Sequence, residues 1–230
     1  LCHWQQEHWI AKMSSMSDLT PKLNISLEEA GMKLAKLAGL NIPAIKRQTI
    51  GGREVLFIKR FDISKKGGRN ALTSFKTLLG TSDPSSVSYH RLAEVIARYS
   101  HQPTVDLELL YRQMIVNVAL VNGDDHLQNF AMLHTSRGWE LSPAYDIVPN
   151  IYQSTQLIPI NGKQAGIGKN DLMEEGLKFG LSNKKCDPLL KDVAESISDW
   201  EEMFAECKVG SKHTQGLREN MRRSIQRIRF

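Results

Sequence analysis

The stretch Val121-Asn122-Gly123-Asp124-Asp125-His126-Leu127-Gln128-Asn129, followed downstream by Ser142-Pro143-Ala144-Tyr145-Asp146, sets an acid, an amide five residues later and a second acid beyond it. Phosphoryl transfer needs those three groups. One carboxylate accepts or orients the proton of an attacking hydroxyl, while an amide oxygen and another carboxylate hold the Mg2+ that bridges nucleotide phosphates. Asp124 is then the candidate base or hydroxyl-positioning group, and Asn129 and Asp146 are the candidate metal ligands. The spacing has a plainer reading as well. Asn122 to Asp125 is also the composition of an ordinary helix-ending turn, and Asp146 suits a turn ahead of Pro149. Spacing alone leaves both readings open.

The elements that must position these groups follow from hydrophobic pattern and punctuation. Residues 1 to 13 read as strand, with the apolar run Trp9-Ile10-Ala11 leading to Lys12 and Met13. A lysine there either neutralises nucleotide phosphates or is a solvated strand end. Residues 14 to 25 read as a loop. A helix is expected from Ser26, with Ser26 and Glu29 as a capping box, Leu27, Gly31, Leu34 and Ala38 on one face, and Gly39 as the stop. Glu28 is either a partner for Lys12 or an acid complementing the helix dipole. Two strands, Ala44 to Ile50 and Glu54 to Lys59, flank a Gly51-Gly52 turn. They lead into Lys59-Arg60-Phe61-Asp62, which lines a cleft or simply ends in core and turn. Residues 63 to 73 are a basic loop containing Lys65, Lys66 and Arg69.

Helical periodicity begins after Ser74. Leu92, Val95, Ile96 and Tyr99 share one face, and Leu107, Leu110, Met114 and Val118 share another. The second stripe runs directly into Asp124. A hairpin of Phe130 to Leu133 and Trp139 to Leu141 doubles the chain back, so that Asp146 can face Asn129. His126 is a buried histidine, a phosphate contact or a zinc ligand, although no second His or Cys stands at ligand spacing. Asp125 reads as solvent-facing. Ile160-Asn161-Gly162-Lys163 is a turn, and helices are expected near 170–180, 187–206 and 212–229. The last carries a basic face that includes Arg218, Arg222 and Arg229.

Bulk composition bounds the function. The 230 residues are 41% hydrophobic and 24% charged, the balance of a globular protein of one domain or two small lobes. No run approaches the ~18 apolar residues of a membrane span, and the N-terminus lacks a signal-peptide layout. Cys2, Cys186 and Cys207 form neither a disulfide framework nor a zinc knuckle, so a reducing cytoplasm is the expected location. The net charge of +5 suits an anionic ligand and is too diffuse to imply nucleic-acid binding.

The wider context narrows the chemistry. The D-x-x-x-x-N spacing before a metal-binding Asp is that of protein kinases. G-D-D-H-L-Q-N-F followed by L-S-P-A-Y-D resembles the HipA-like serine/threonine kinases, toxin kinases of bacterial toxin–antitoxin systems, whose pattern is D-x-H-x-K-N and then L-x-P-x-Y-D. The likeness extends over about residues 5 to 205 and departs at Gln128, where the family carries Lys. It implies a two-lobed, protein-kinase-like α+β fold, with a small lobe over 1–62 and a helical lobe over 63–230. It also implies ATP and Mg2+ as ligands. Lys12 would be held by Glu28, and Lys59, Phe61, Asp62 and His126 would line the nucleotide site. The implied partners are a protein substrate such as an aminoacyl-tRNA synthetase and a helix-turn-helix antitoxin, with DNA contacted only through the antitoxin and no membrane.

The family carries a glycine- and serine-containing phosphate loop ahead of its lysine strand. Only eleven residues precede Lys12, and none is glycine, so that loop is expected to lie in sequence upstream of this chain. Two rival readings stand beside the toxin kinase. G-D-x-H-x-x-N is also similar to the phosphoinositide-kinase catalytic loop, which implies a lipid or small-molecule kinase. A pseudokinase that binds nucleotide without turnover is the other.

Overall fold

The computed structural model describes residues 2–4, 7–13, 21–64 and 67–229. Of the loop expected over 14–25, residues 14–20 lie outside the described residues, as does the pair Lys65–Lys66, and residues 21–25 are helical. Four strands form an antiparallel sheet: β1 (Cys2–Trp4), β2 (Glu7–Met13), β3 (Ile45–Ile50) and β4 (Arg53–Lys59), in the order β1-β2-β4-β3. The single strand expected over residues 1 to 13 is therefore two paired strands, with Cys2 opposite Trp9. Successive side chains on a strand face opposite ways, and β4 uses both faces. Leu56 and Ile58 pack with Ile25 on one side, while Val55 and Phe57 pack with Trp9 on the other. A continuous apolar run is what a doubly covered strand requires. Gly51 and Gly52, with φ of 56° and 77°, supply the left-handed turn that joins β3 to β4.

Helix α1 (Pro21–Leu37) starts five residues before the expected cap. Proline is favoured in a first helical turn, where its missing N–H has no intrahelical partner to lose. Ser26 is therefore buried within the helix, and the expected capping box is corrected. Three residues apart on a helix means one face, so Ser26 and Glu29 together receive Arg47 of β3. Arg47 Nη1 lies 2.9 Å from Ser26 Oγ and 3.3 Å from Glu29 Oε2. The same guanidinium donates to Glu54 Oε2 at 2.5 Å and to Cys207 O at 2.9 Å. What reads as a helix start is the point where the sheet docks on its helix.

The rest of the chain contains β5 (Leu72–Ser74), α2 (Phe75–Leu79), α3 (Tyr89–Tyr99), α4 (Pro103–Ala119), β6 (Ala131–Thr135), β7 (Gly138–Leu141), α5 (Lys169–Lys178), α6 (Asn183–Ser196), α7 (Trp200–Glu206) and α8 (Gln215–Arg229). From Leu110 to Ala119 every α4 residue except Arg112 is buried. A helix covered on all sides belongs at the centre, and α4 packs against α3, α6, α8 and β7. Leu92 and Ile96 of α3 are buried as expected, but Tyr99, at the helix end, is exposed beneath Arg98. The stretch expected as one helix over 187–206 is two, and the break between α6 and α7 turns Trp200 into the core. The expected hairpin gains a third strand, in the order β5-β6-β7.

One close approach joins the first sheet's helix to this helical part. A Cβ on Gly31 would lie 2.2 Å from Ile147 O and 2.8 Å from Pro149 Cδ, so α1 meets the segment after Asp146 backbone to backbone. Gly31→Ala is expected to push that segment away and lower stability by about 1–3 kcal/mol, the usual range for overpacking. Urea unfolding checks this, and an unchanged midpoint would mean that the contact is loose.

Candidate active site

The loop that carries Asp124 begins as a helix termination. Val121 N donates to Val118 O at 3.2 Å and Asn122 N to Asn117 O at 2.9 Å, the paired bonds of a Schellman motif closing α4. The left-handed position of that motif normally holds glycine. Here Val121 occupies it at φ 56°, a conformation that costs an L-residue roughly 1–2 kcal/mol. Val121 is buried, and its carbonyl accepts from Asn150 N at 3.0 Å, which keeps the turn in place. Gly123 follows under pressure from the opposite segment. A Cβ there would lie 2.8 Å from Thr155 O, and Gln153 Nε2 donates to Gly123 O at 2.8 Å.

The two adjacent acids then part. Asp124 has 63% of its side chain exposed, whereas Asp125 is fully buried. The reading of Asp125 as solvent-facing is thus corrected. Its Oδ2 accepts from Tyr89 Oη at 2.7 Å, and its Oδ1 accepts from Leu157 N at 2.7 Å and Ile158 N at 3.4 Å. Asn117 Nδ2 donates to Tyr89 Oη and Asn122 Nδ2 to Asn117 Oδ1, both at 3.0 Å. Downstream, the first amides of α2 hold the loop by Phe75 N to Phe130 O at 3.0 Å and Lys76 N to Leu127 O at 3.1 Å. Asn129 Nδ2 donates to Asp124 O at 2.9 Å, which commits its nitrogen to the loop, so that the amide oxygen is the atom that could hold a metal ion. His126 Nε2 stands 4.0 Å from Asp124 Oδ1, and its Nδ1 is buried with no partner among the described residues.

Across from this loop, Lys12 on β2 places its Nζ 2.7 Å from Glu28 Oε1 and 2.5 Å from Asp146 Oδ1. Burial works against the ammonium, but the two carboxylates outweigh it and raise its pKa above the ordinary lysine value. Glu28 precedes Gly31 by about one helical turn, so the close approach at Gly31 also helps set Glu28 against Lys12. Asp146 itself has φ 59°, a region that aspartate enters more readily than most residues.

Lys12 and Asp146 open onto a mostly apolar cleft of about 360 Å³, lined also by Ile10, Lys59, Phe61, Asp62, Leu72 and Tyr145. That volume is within the range of small-molecule sites. Phe61 and Tyr145 stack at the cleft with ring centroids 5.8 Å apart. Lys59 pairs with Glu7. Asp62 is buried and its carboxylate is received by Arg60 and, at 3.1 Å, by Arg69, with the Arg60 bonds chiefly holding its pKa below the usual range. The structure thus brings Lys12, Glu28 and Asp146 into direct contact and sets Lys59, Phe61 and Asp62 in the same cleft. Asp124, His126 and Asn129 stand apart from its lining, on the loop after α4.

Residues 2–201 match the HipA-like C-terminal domain family. The chain belongs to this family. Among curated relatives, a Sinorhizobium fredii protein that carries a kinase name, Y4mE, is 22% identical over 73% of this chain and 44% of its own length. A Haemophilus influenzae protein, also named as a kinase, is 23% identical over 81% of this chain and 65% of its own. The chain therefore spans about half to two thirds of the length of such relatives. The fold is shared with HipA of Shewanella oneidensis, solved with HipB and operator DNA, at TM-score 0.73 and 19% identity over 96% of this chain and 57% of that one. It is shared too with the Helicobacter pylori proinflammatory kinase CtkA, at TM-score 0.63 and 13% identity over 99% of this chain and 91% of that one. The architecture is accordingly the two-lobed, kinase-like α+β fold.

Within this HipA-like domain, sequence reasoning passed over three contributors. Tyr145 donates its hydroxyl to Gln128 O at 2.7 Å, so one side chain joins the cleft to the loop after α4; it stood in the L-S-P-A-Y-D motif, but no role was read for it there. Arg69 stood in the basic loop over 63–73, where no contact to Asp62 was expected. No local signal marked Asp125 as the buried one of the two acids, because its burial is decided by partners 32 to 36 positions away. Burial pushes the Asp125 carboxyl up from 3.8 to about 7, against the opposing bonds from Tyr89, Leu157 and Ile158. The folded protein therefore keeps a proton that the unfolded chain releases between these two values. Stability from this group falls as pH rises through that window. The urea midpoint is expected to decline more steeply from about pH 4 to 7 in the wild type than in Asp125→Asn; equal slopes would show that the carboxyl titrates normally.

Proposed function

We propose that the chain is the catalytic region of an ATP- and Mg2+-dependent serine/threonine protein kinase of the toxin type. The observation that carries this reading is the Lys12 ammonium held between Glu28 and Asp146 at the wall of the cleft. A nucleotide in that cleft would set its base among Ile10, Leu72, Phe61 and Tyr145 and its phosphates toward Lys12. The attacking hydroxyl oxygen bonds to the γ-phosphorus as the bond to the bridging oxygen of ADP breaks, and the hydroxyl proton passes to Asp124. Asn129 Oδ1 and the Asp146 carboxylate are hard oxygen donors of the kind Mg2+ takes with nucleotide phosphates, and would hold it. The ion supplies charge neutralisation on the transferring group.

The substrate in this reading is a protein hydroxyl, with an aminoacyl-tRNA synthetase as the target and loss of translation as the outcome. A helix-turn-helix antitoxin restrains the activity and contacts DNA in the kinase's place. The Shewanella HipA structure, which includes HipB and operator DNA, supports such a partner. Among the described residues no helix is long and apolar enough to cross a membrane, and a cytoplasmic setting fits a synthetase substrate.

Removing a general base typically lowers rate by ~10²–10⁴, or about 3–5.5 kcal/mol of barrier. Asp124→Asn is expected to lose phosphate transfer from labelled ATP by that order while binding a fluorescent nucleotide as the wild type does. Retained transfer would remove Asp124 from its role. Asp146→Asn is expected to weaken ATP binding at limiting Mg2+, and an unchanged affinity in a Mg2+ titration would count against its part as a ligand.

A further inference from the structure

Every donor in the buried chain beneath the catalytic loop points the same way. Asn122 donates to Asn117, Asn117 to Tyr89, and Tyr89 to Asp125. From the other side, the Leu157 and Ile158 amides donate to the remaining Asp125 oxygen. The chain ends on an acceptor, and only a side chain with two acceptor oxygens satisfies both sides. Asparagine at 125 would turn an N–H2 toward one of these donors, and a protonated carboxyl would turn an O–H toward one. Either leaves a buried donor unmatched.

We propose that Asp125 is a positioning residue: its carboxylate ties the peptide of Asp124 to α3 and to residues 157–158, so that the exposed Asp124 carboxylate meets the attacking hydroxyl in one orientation. This rests on the reading of Asp124 as the group that takes the hydroxyl proton. The loop enters through a left-handed Val121 and a glycine pressed on Thr155, and such strain persists only where the surroundings over-determine it. Asn129 grips the Asp124 carbonyl from the far side, so the Asp124 peptide is held at both ends.

The ionised form is the one that the donors require, although burial disfavours it. Tyr89 of α3 bears on Asp125 directly, and Glu175 of α5 bears on Tyr89. From α4 the facing group is the Asn117 amide, and from 157–158 it is the backbone; neither titrates. Asp124 and His126 flank Asp125 on its own loop.

The test uses the full-length protein and its Asp125→Asn and Tyr89→Phe variants. Phosphate transfer to dephosphorylated casein, binding of a fluorescent ATP analogue and amide hydrogen exchange are measured on each. The expected result is a kcat lower by ~10²-fold in Asp125→Asn and by about tenfold in Tyr89→Phe, with KM for ATP within about twofold of wild type, the split of a positioning role. Amides of residues 122–129 and 157–158 exchange faster in the variants, while those of β2 and β4 do not. Wild-type kcat rises as pH passes through about 7, and that rise is absent from Asp125→Asn. Unchanged kcat, or exchange in 122–129 identical to wild type in the mild Tyr89→Phe variant, overturns the proposal. If the wild type transfers no phosphate, the kinase reading falls by itself, and exchange, which needs no turnover, still decides whether Asp125 orders the loop.

Discussion

A carboxylate taken out of water must have its charge met by hydrogen bonds, and that requirement at Asp125 sets the course of four segments. Helix α3 brings Tyr89, α4 brings Asn117, the helix-ending turn brings Asn122, and the 157–158 segment turns its amides inward. The polar row lies at the C-terminal end of α4, the most enclosed helix, where apolar packing gives way to the loop. Apolar contact is non-directional and could not by itself orient the loop over residues 122–129. A buried row of directed hydrogen bonds can.

The opposite wall is set by charge. Lys12, Glu28 and Asp146 come from a strand, a helix and a segment after a hairpin, with the first and last 134 positions apart. Their meeting depends on a missing side chain at Gly31, because any Cβ there would separate α1 from residues 147–149. The docking of α1 on its sheet depends in turn on Arg47, which gathers Ser26, Glu29, Glu54 and the Cys207 carbonyl. Two close backbone contacts, at Gly31 and Gly123, therefore do for the site what shape complementarity does for the core. Tyr145 bridges the walls, with its ring on Phe61 and its hydroxyl on the loop.

Local pattern made much of this legible. The apolar run of β4, the Gly51-Gly52 turn, the periodicity of α3 and α4 and the hairpin of β6 and β7 depend on neighbours in sequence, and the structure forms them. The family was legible because D-D-H-L-Q-N and P-A-Y-D keep their order and spacing. Where the reading departed, a distant partner decided. The Ser26 and Glu29 pair has the spacing of a cap and equally the spacing of one helix face, and Arg47 selects the second. The three-residue β5 is too short for a periodic signal and is a strand because β6 lies beside it.

By itself, then, the sequence determined the fold class, the family and the residue types able to perform phosphate chemistry, since these follow from periodicity and motif spacing along the chain. Only the tertiary structure decided which of two adjacent acids faces solvent. It also decided which carboxylates hold Lys12. Burial and ion pairing depend on distances between segments remote in sequence, and no local pattern encodes those distances.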